Sequence, residues 1–280
     1  MRHSEKEVPL DDGVLSVSIW EPDSPILTLV CVHGWTLDRH SFSGQQALVP
    51  HGVRLVAFDR RGFGSNKLPP GLDRELADLD QLFVHFPSPV YAFGVSQGAR
   101  LLVRYAAQSP GSLAGLFLQG GLVDGLPAEI NEIPYARYAS LLRQGNQSAF
   151  SKEWLAHPLM RSGVPAEQLS SVAELIGGYE GRDLFTAPAN SISDDLSGVL
   201  PSVFASSGLP LWVIEAAHES EARRAHARFL IEKCGAIPVP MPGGHLCHFT
   251  HAEEMNARLL AALGAIRHGA DGGQQIGSQL

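Results

Sequence analysis

A serine between two glycines is the first feature of this sequence that could do chemistry. The pattern Gly94-Val95-Ser96-Gln97-Gly98 occurs once in the 280 residues. The apolar run PVYAFGV precedes the serine, and the helical run GARLLVRYAAQ follows it. A strand, a sharp turn and a helix in this order push a serine Oγ out of the carboxyl end of a sheet, where it can attack a carbonyl. Ser96 is therefore the candidate nucleophile.

A serine nucleophile needs a histidine base, and the histidine needs a carboxylate that orients it. Among the twelve histidines, His245 is the best placed, because Gly243 and Gly244 precede it and the apolar run AIPVPM ends just before them. The carboxylate is predicted to be Glu219, which follows the strand predicted over Leu211 to Glu215. The chain between Glu219 and His245 has room for one helix and one strand, so both side chains can return to the same edge of the sheet.

The acid has alternatives in the sequence. Asp124 follows the strand GLFLQGG, the other strand end from which a carboxylate could reach the histidine. Glu215 and Glu221 lie close to Glu219 along the chain. An acidic residue near a helix start is also stabilised by the helix dipole without any catalytic role. Glu219 is the preferred acid, and the other three remain open.

Two backbone N–H groups, those of Trp35 and Gln97, are predicted to bind an oxyanion. His33-Gly34-Trp35 ends an apolar run, and a loop after such a strand can point its N–H groups into the site, while Gln97 directly follows the serine. His33 is a second candidate for the base. A histidine beside a glycine at a strand end is more often a structural hydrogen-bonding group.

A metal ion is a competing interpretation of the histidines near the end of the chain. His245, His248 and His251 are three residues apart, a pattern that can supply metal ligands. No acidic partner motif lies nearby in the sequence, so we expect neither a metal nor a cofactor.

Short β-rich runs alternate with helical patterns, which predicts βαβ units and a largely parallel sheet that positions these residues. The predicted strands are Val14 to Trp20, Leu27 to His33, Val53 to Asp59, Val90 to Val95, Leu116 to Gln119, Leu211 to Glu215 and Ile237 to Met241. A helix is predicted from Gln97 to Gln108. Thr250-x-x-Glu253 is interpreted as a capping box that opens the last helix.

The alternation breaks between about Asp124 and Val199, where helix-like pieces follow one another without a strand. These pieces are Ala136 to Arg143, Ser148 to Ala156 and Ala166 to Ile176. We therefore predict a core domain of residues 1–123 and 200–264 and a helical cap of residues 124–199. Residues 265–280, rich in Gly and Gln, are predicted to form a flexible tail.

Composition excludes several classes of protein. Hydrophobic residues make up 44% and charged residues 18%, and the net charge is -8, so the chain is globular and lacks the basic stripe that nucleic-acid binding requires. No run approaches the roughly 20 apolar residues of a membrane span, and the polar N-terminus does not resemble a secretory signal. Three cysteines without a Cys-x-x-Cys pair favour free thiols. We expect a cytoplasmic protein that binds a small molecule.

The sequence resembles the α/β-hydrolase fold superfamily from about residue 14 to residue 263. The resemblance is carried by the His33-Gly34 loop, by Asp59-x-Arg61-Gly62-x-Gly64, by Gly94 to Gly98, by the strand before Glu219 and by Gly244-His245. It implies an α/β fold with a mostly parallel eight-stranded sheet, helices on both faces, a helical cap after the sixth strand, and a serine mechanism without a cofactor. The order Ser, acid, His fits this fold.

One departure qualifies this resemblance. Many members have Gly and then Asp near the acid position, where this chain has Ala216 and Glu219. Asp59 and Arg61 are assigned to a rigid structural loop and not to the chemistry.

The function expected from these features is the hydrolysis of a carboxylic ester or lactone of a small to medium apolar substrate. The pocket is predicted to include Trp35, Tyr138, Phe150 and Trp154. Members of the superfamily also cleave carbon–carbon bonds in ring-fission dienones, make peracids, transfer acyl groups to alcohols, or serve as non-catalytic receptors, so these remain alternatives. The preferred substrate and the oligomeric state do not follow from the sequence.

Overall fold

An eight-stranded sheet forms the centre of the protein. The structure, a computed structural model, describes residues 1–87, 89–127, 133–186 and 195–272, with only the backbone of residues 265–272. The strands are β1 (Arg2–Leu10), β2 (Gly13–Glu21), β3 (Leu27–Val32), β4 (Val53–Phe58), β5 (Val90–Val95), β6 (Gly115–Gln119), β7 (Leu211–Ala216) and β8 (Ile237–Met241). Their order in the sheet is β1-β2-β4-β3-β5-β6-β7-β8.

The sheet is parallel from β4 to β8, and β1 and β2 join it as antiparallel strands. Strands β5 and β6 are buried along their whole length, which fits their uninterrupted apolar sequences. The predicted α/β class and the eight-stranded, mostly parallel sheet are confirmed. The first strand was not among the sequence-predicted strands, because Arg2–Leu10 is polar and exposed along most of its length and is held by pairing with β2.

Helices cover both faces of the sheet. They are α1 (Leu72–Val84), α2 (Gln97–Gln108), α3 (Tyr135–Arg143), α4 (Gln147–Ala156), α5 (Pro158–Arg161), α6 (Leu169–Gly177), α7 (Arg182–Phe185), α8 (Leu200–Ser207), α9 (Glu221–Cys234), α10 (Cys247–Thr250) and α11 (Ala252–Gly272). Helices α1, α2 and α9 supply Leu79, Leu102 and Leu230 to the apolar core on one face. Helix α11 supplies Met255 and Leu259 to the core on the other face.

Six of these helices, α3 to α8, lie in the chain between β6 and β7, and the first five share a third apolar cluster with loops of the sheet. Phe150 and Trp154 of α4 belong to this cluster together with Trp35 and Phe63, which follow β3 and β4. The segment therefore packs over the carboxyl ends of these strands. Parts of the predicted cap, residues 128–132 and 187–194, lie outside the described residues, and the domain boundaries stay a prediction.

The end of the chain departs from the sequence prediction in two respects. Helix α11 continues to Gly272, so the predicted tail begins inside a helix, and residues 273–280 lie outside the described residues. Thr250 does not open α11, because it belongs to α10 and its hydroxyl donates to the carbonyl of Leu246, 3.2 Å away. No helix within the described ranges is both long and apolar enough to cross a membrane.

Candidate active site

Ser96 occupies a strained turn between β5 and α2. Its φ of 55° and ψ of -114° lie outside the regions that side chains favour, and within the described part of the chain only Thr36 is another non-glycine residue with positive φ. The N–H of Ser96 donates to the backbone oxygen of Gln119, 2.7 Å away, which anchors the turn to β6. A strained residue persists only where its surroundings hold it, and such residues cluster at functional sites.

The two glycines of the motif are required by close backbone contacts. A Cβ on Gly94 would lie 2.7 Å from Cα of Ala99, and a Cβ on Gly98 would lie 2.1 Å from the carbonyl oxygen of Val32. Both contacts are with backbone atoms, which cannot move aside as a flexible side chain does. The strand, the turn and the helix can thus approach as closely as they do only with glycine at both positions.

Glu219 and His245 form a buried pair next to this turn. Nδ1 of His245 lies 2.7 Å from Oε2 of Glu219, and each side chain is 6% exposed. The other carboxylate oxygen of Glu219 accepts the N–H of Ser220 at 2.9 Å. Burial by itself would raise the pKa of Glu219, but the charge of His245 and its hydrogen bond, aided by Arg223, hold the pKa at about 2. Glu219 is therefore ionised at neutral pH and can orient the imidazole.

The pair fits only because residue 120 is a glycine. Gly120 follows β6 with a φ of +58°, and a Cβ there would lie 2.6 Å from Nδ1 of His245 and 2.7 Å from Oε2 of Glu219. No side chain fits between the end of β6 and this pair without displacing it. Gly120 was not among the residues predicted from the sequence, although a Gly-Gly pair directly after an apolar strand was the available signal.

The alternative acids have other partners or positions. Asp124 accepts hydrogen bonds from Arg100 at 2.7 Å and Arg104 at 2.6 Å, both on α2. Glu221 pairs on the surface with arginines of its own helix. Glu215 lies within β7, opposite Pro240 of β8. The structure thus brings Glu219, and not Asp124, to His245.

Gln119, at the end of β6, links the serine turn to the histidine loop. Its backbone oxygen accepts the N–H of Ser96, and its side-chain Nε2 donates to the backbone oxygen of His245 at 2.8 Å. The residue is fully buried. Sequence reasoning missed this role, and the signal was a glutamine at the end of the otherwise apolar strand GLFLQ.

The loop after β3 passes close to Ser96 and carries Trp35, one of the predicted oxyanion donors. A Cβ on Gly34 would lie 3.1 Å from Cβ of Ser96. The helical segment holds this loop from above, because Nε1 of Trp35 donates to Asp183 and Nε1 of Trp154 donates to Thr36, each at 2.8 Å. The strained Thr36 is thus fixed by a side chain of α4.

Gln97, the other predicted donor, is the first residue of α2. A backbone N–H at this position has no partner within its helix and remains available to an anion. The side chain of Gln97 accepts from Arg60 at 2.8 Å, and Arg60 in turn donates to Glu75 of α1 at 2.6 Å. Arg60 is almost completely buried, so this chain of contacts fixes the start of α2 against the loop after β4.

His33 has a structural environment. Its Nδ1 lies 2.8 Å from the oxygen of Gly34, and its Nε2 accepts the N–H of Arg60 at 2.9 Å. Burial, together with the charge of Arg60, lowers the pKa of His33 to about 3, so the ring is neutral. Both ring nitrogens are engaged with backbone groups, which agrees with the expected structural role and not with that of a base.

The loop after β4 is likewise held by internal contacts. Asp59 accepts from the N–H groups of Arg39 at 3.0 Å and Ser65 at 2.8 Å. Arg61 donates to Asp78 of α1 and to Asp12 of the β1–β2 turn. The predicted structural role fits these contacts, and Arg61 contributes by joining the loop to two other elements.

The histidines of the competing metal interpretation point to different surroundings. His248 is fully buried, its ring packs tilted against Phe42 and edge-on against Phe93, and burial lowers its pKa to about 3. His251 contacts the hydroxyl of Thr250 at 2.9 Å. Across the residues that the structure describes, no three His, Cys, Asp or Glu side chains come together as a metal site.

The four predicted pocket residues are all aromatic and lie together. Trp35 packs against Tyr138 and Trp154, with ring centroids 6.2 Å and 5.0 Å apart, and Phe150 packs edge-on against Tyr138. None of the four is more than 6% exposed. They form the interior of the helical segment above the loop after β3.

One charged side chain near Ser96 was not considered from the sequence. NH1 of Arg223, in the first turn of α9, lies 3.4 Å from Oγ of Ser96 and also donates to the backbone oxygen of Gly120. The residue is 4% exposed. No feature of the sequence distinguishes Arg223 from the neighbouring Arg224, so only the fold could reveal this contact.

A family model and solved structures match this chain. The model of the Alpha/beta hydrolase family matches residues 29–258. A thermophilic esterase from Thermogutta terrifontis, solved with malate bound, is similar with a TM-score of 0.76 at 17% identity, covering 95% of this chain and 99% of that one. The esterase EaEST from Exiguobacterium antarcticum gives 0.76 at 16% identity, with 93% and 100% covered. The enol-lactonase from Burkholderia xenovorans LB400 gives 0.75 at 17% identity, with 92% and 100% covered. At these identities the structural likeness shows the fold alone.

Proposed function

The chain belongs to the alpha/beta hydrolase family, and from this premise we propose that it is a serine hydrolase that cleaves a carboxylic ester or lactone through an acyl-enzyme. The observation that carries the proposal is the buried pair of Glu219 and His245, which borders Gly120, the residue after the one whose carbonyl anchors the strained turn of Ser96. Esterases and an enol-lactonase among the proteins of similar fold support the same class of substrate.

The proposed mechanism assigns one task to each group. Glu219 accepts the Nδ1–H of His245, which leaves Nε2 unprotonated and able to take the proton from Oγ of Ser96 as the oxygen attacks the carbonyl carbon. The N–H groups of Trp35 and Gln97 stabilise the negative oxygen of the tetrahedral intermediate, which in such sites contributes roughly 10²–10³ to kcat.

Collapse of the intermediate expels the alcohol oxygen, which departs as the product alcohol of an ester and stays tethered to the acyl group of a lactone. His245 returns its proton to the leaving oxygen as the bond between that oxygen and the carbonyl carbon breaks, and Ser96 keeps the acyl group. Water then attacks the acyl-enzyme with His245 again as base, and the acid and free Ser96 are regenerated. The steps balance with water as the only co-substrate.

Residues 124–199 act in this proposal as a cap that selects the substrate. Two hydrogen bonds connect the cap to the loop that carries the first oxyanion donor: Trp154 donates to Thr36, and Trp35 donates to Asp183. Trp35, Tyr138, Phe150 and Trp154 form the buried apolar interior of this cap and so set its shape above the site. Shortening Trp154 to alanine should therefore change the relative rates across acyl chain lengths, while an equal loss on every substrate would mean that it only stabilises the cap.

Turnover of a panel of substrates tests the function directly. We expect hydrolysis of p-nitrophenyl esters and of lactones by the wild-type protein, loss of at least 10³-fold in Ser96→Ala, and no loss in Ser202→Ala, which removes an exposed hydroxyl of α8. Full ester turnover by Ser96→Ala would refute the proposal. Turnover of a dienone chromophore without ester turnover would assign carbon–carbon cleavage instead.

A further inference from the structure

The side chain of Trp35 is inserted into the helical segment between β6 and β7, although the residue itself follows β3. Its Nε1 donates to Oδ2 of Asp183, in α7, at 2.8 Å. The residue is 6% exposed. The indole packs against four rings of the segment, with ring centroids 5.0 to 6.2 Å away: Tyr135, Tyr138, Trp154 and Tyr179. A side chain of the loop after β3 is thus held by the cap.

Asp183, the acceptor of this indole, is itself fixed within the cap. Its Oδ1 accepts the hydroxyl of Tyr179 at 2.6 Å, and Tyr179 is buried. Burial raises the pKa of Asp183, while the hydrogen bonds from Tyr179 and Trp35 oppose this rise by stabilising the charged carboxylate. A hydrogen bond to an ionised group is roughly twice as strong as one between neutral groups. The carboxylate is therefore a firm anchor for the indole of Trp35.

The peptide between Gly34 and Trp35 carries the N–H group that is proposed to bind the oxyanion. Its carbonyl end is held by the core, because Nδ1 of His33 donates to the oxygen of Gly34 at 2.8 Å while Nε2 accepts from Arg60. Gly34 has no side chain that could fix the peptide further. At the other end, only two rotatable bonds join the indole of Trp35 to its Cα, so a fixed ring also fixes the backbone. The cap therefore supplies the second anchor of this peptide.

We propose that Asp183 is a positioning residue for the chemical step, because it holds the indole of Trp35 and, through it, the backbone N–H that binds the oxyanion. This inference rests on the proposed function, since the N–H of Trp35 acts in this way only if Ser96 attacks a carbonyl. It adds a second task to the cap, which then serves the chemistry of every substrate as well as the choice among substrates. An oxyanion donor acts in the transition state, so its displacement lowers kcat and leaves KM unchanged.

Asp183→Leu is the test variant, and Asp183→Asn is the conservative one. Leucine cannot accept the indole N–H, whereas asparagine keeps an oxygen that can. Removal of an oxyanion donor costs roughly 10²–10³ in kcat, and a displaced donor should cost less. We expect Asp183→Leu to lower kcat by about 10- to 100-fold on short and long p-nitrophenyl esters alike, at unchanged KM, and Asp183→Asn to restore most of the rate.

Arg182→Gln is the matched control, because Arg182 precedes Asp183 in α7 and also connects the cap to the core. Its guanidinium donates to the carbonyl of Asn66, in the loop after β4, at 2.9 Å. The control should lower the melting temperature without lowering kcat. The same loss of kcat in Arg182→Gln as in Asp183→Leu would overturn the proposal, since any weakening of the cap would then explain it. Wild-type kcat in Asp183→Leu would overturn it too.

A double-mutant cycle with Trp35→Phe tests the route through the indole. Phenylalanine keeps an aromatic ring in the cap but removes the Nε1–H that Asp183 accepts. If Asp183 acts through this hydrogen bond, the double variant should lose no more kcat than the more severe single variant. Losses that multiply would mean that Asp183 acts by another route, which contradicts the proposal.

Nuclear magnetic resonance of protein labelled with ¹⁵N-tryptophan separates this proposal from the proposed function. The signals of Trp35 are those that disappear in Trp35→Phe. We expect Asp183→Leu to shift the backbone N–H signal of Trp35 and to leave that of Trp212, in β7, in place. If the wild-type protein hydrolyses no ester, the proposed function fails, while this shift still shows whether Asp183 positions the N–H group. An unmoved backbone signal of Trp35 in Asp183→Leu would overturn the role of Asp183.

Discussion

Gly120→Ala is the change that most sharply tests the geometry of the Glu219–His245 pair. The added methyl group would lie 2.6 Å from Nδ1 of His245, whereas ordinary contacts begin at 3.4 Å. Either the imidazole or the end of β6 must therefore shift by about 0.8 Å. A misplacement of roughly 1 Å in a catalytic group can reduce the rate about 10²-fold.

Gly120→Ala also strains the backbone, and the free-energy cost of this strain must be separated from the effect of displacing the Glu219–His245 pair. Gly120 has a φ of +58°, and a non-glycine residue in the left-handed region costs about 1–2 kcal/mol. Gly208→Ala is the matched control, because Gly208 has a φ of +62° at the end of α8 and an added Cβ there would contact nothing within 4 Å.

Ester turnover and urea unfolding of both variants give the answer. We expect both to lose about 1–2 kcal/mol of unfolding free energy from the backbone strain, with a further loss in Gly120→Ala from the displaced pair. Only Gly120→Ala should lose turnover, by about 10²-fold or more. Unchanged turnover in Gly120→Ala would contradict this prediction, because the pair would then tolerate a displacement or would not act in catalysis.

Three further predictions concern the carboxylate and the contacts around it. Glu219→Gln should lower kcat by about 10²–10⁴ with little change in KM, whereas Asp124→Asn should cost less than about tenfold; the reverse pattern would assign the acid to Asp124. The pKa of Glu219 is lowered from 4.5 to about 2 in the folded protein. As the pH falls through this range, Glu219 takes up a proton in the unfolded chain but not in the folded protein. The unfolding free energy should therefore fall by about 3 kcal/mol between pH 4.5 and pH 2. The unfolding free energy of Glu219→Gln, measured as a function of pH, should lack this part of the decrease. The same pH dependence in Glu219→Gln and in the wild-type protein would contradict the lowered pKa. Gln119→Met should reduce kcat about tenfold at unchanged KM, because it releases the carbonyl of His245. The control Gln45→Met removes a similar buried hydrogen bond to the carbonyl of His248 and should lower only the melting temperature. Equal effects of the two variants on kcat would refute the positioning role of Gln119.

The fold could be predicted from the sequence because its central strands are apolar throughout and alternate with amphipathic helices. The strand predicted before Ser96 and the helix after it agree with β5 and α2 to the residue. By contrast, β1 has an exposed, polar sequence and depends on its pairing with β2, a contact that periodicity does not register. The prediction that Thr250 opens the last helix with a capping box was wrong, because the chain forms the short helix α10 before α11 begins.

The site residues could be predicted where a local sequence pattern encodes a turn. They could not be predicted where residues far apart in the chain come into contact. Glycines beside Ser96 and His245 gave both candidates directly, and their catalytic roles stay predictions. Arg223 and Gln119 escaped notice because each contacts the serine through folding of segments far apart in the chain. An arginine in an exposed-looking helix has no distinguishing pattern of its own, whereas the glutamine at the end of the apolar strand GLFLQ was a signal that the sequence did offer.

Reaction of the protein with a fluorophosphonate, followed by the mass of the intact protein and of its peptides, tests the claim that Ser96 is the nucleophile and that His245 activates it. We predict a single adduct, located on Ser96, whose formation slows by at least about 10²-fold in His245→Ala. An adduct on another residue, no adduct at all, or the same labelling rate in His245→Ala would contradict the claim.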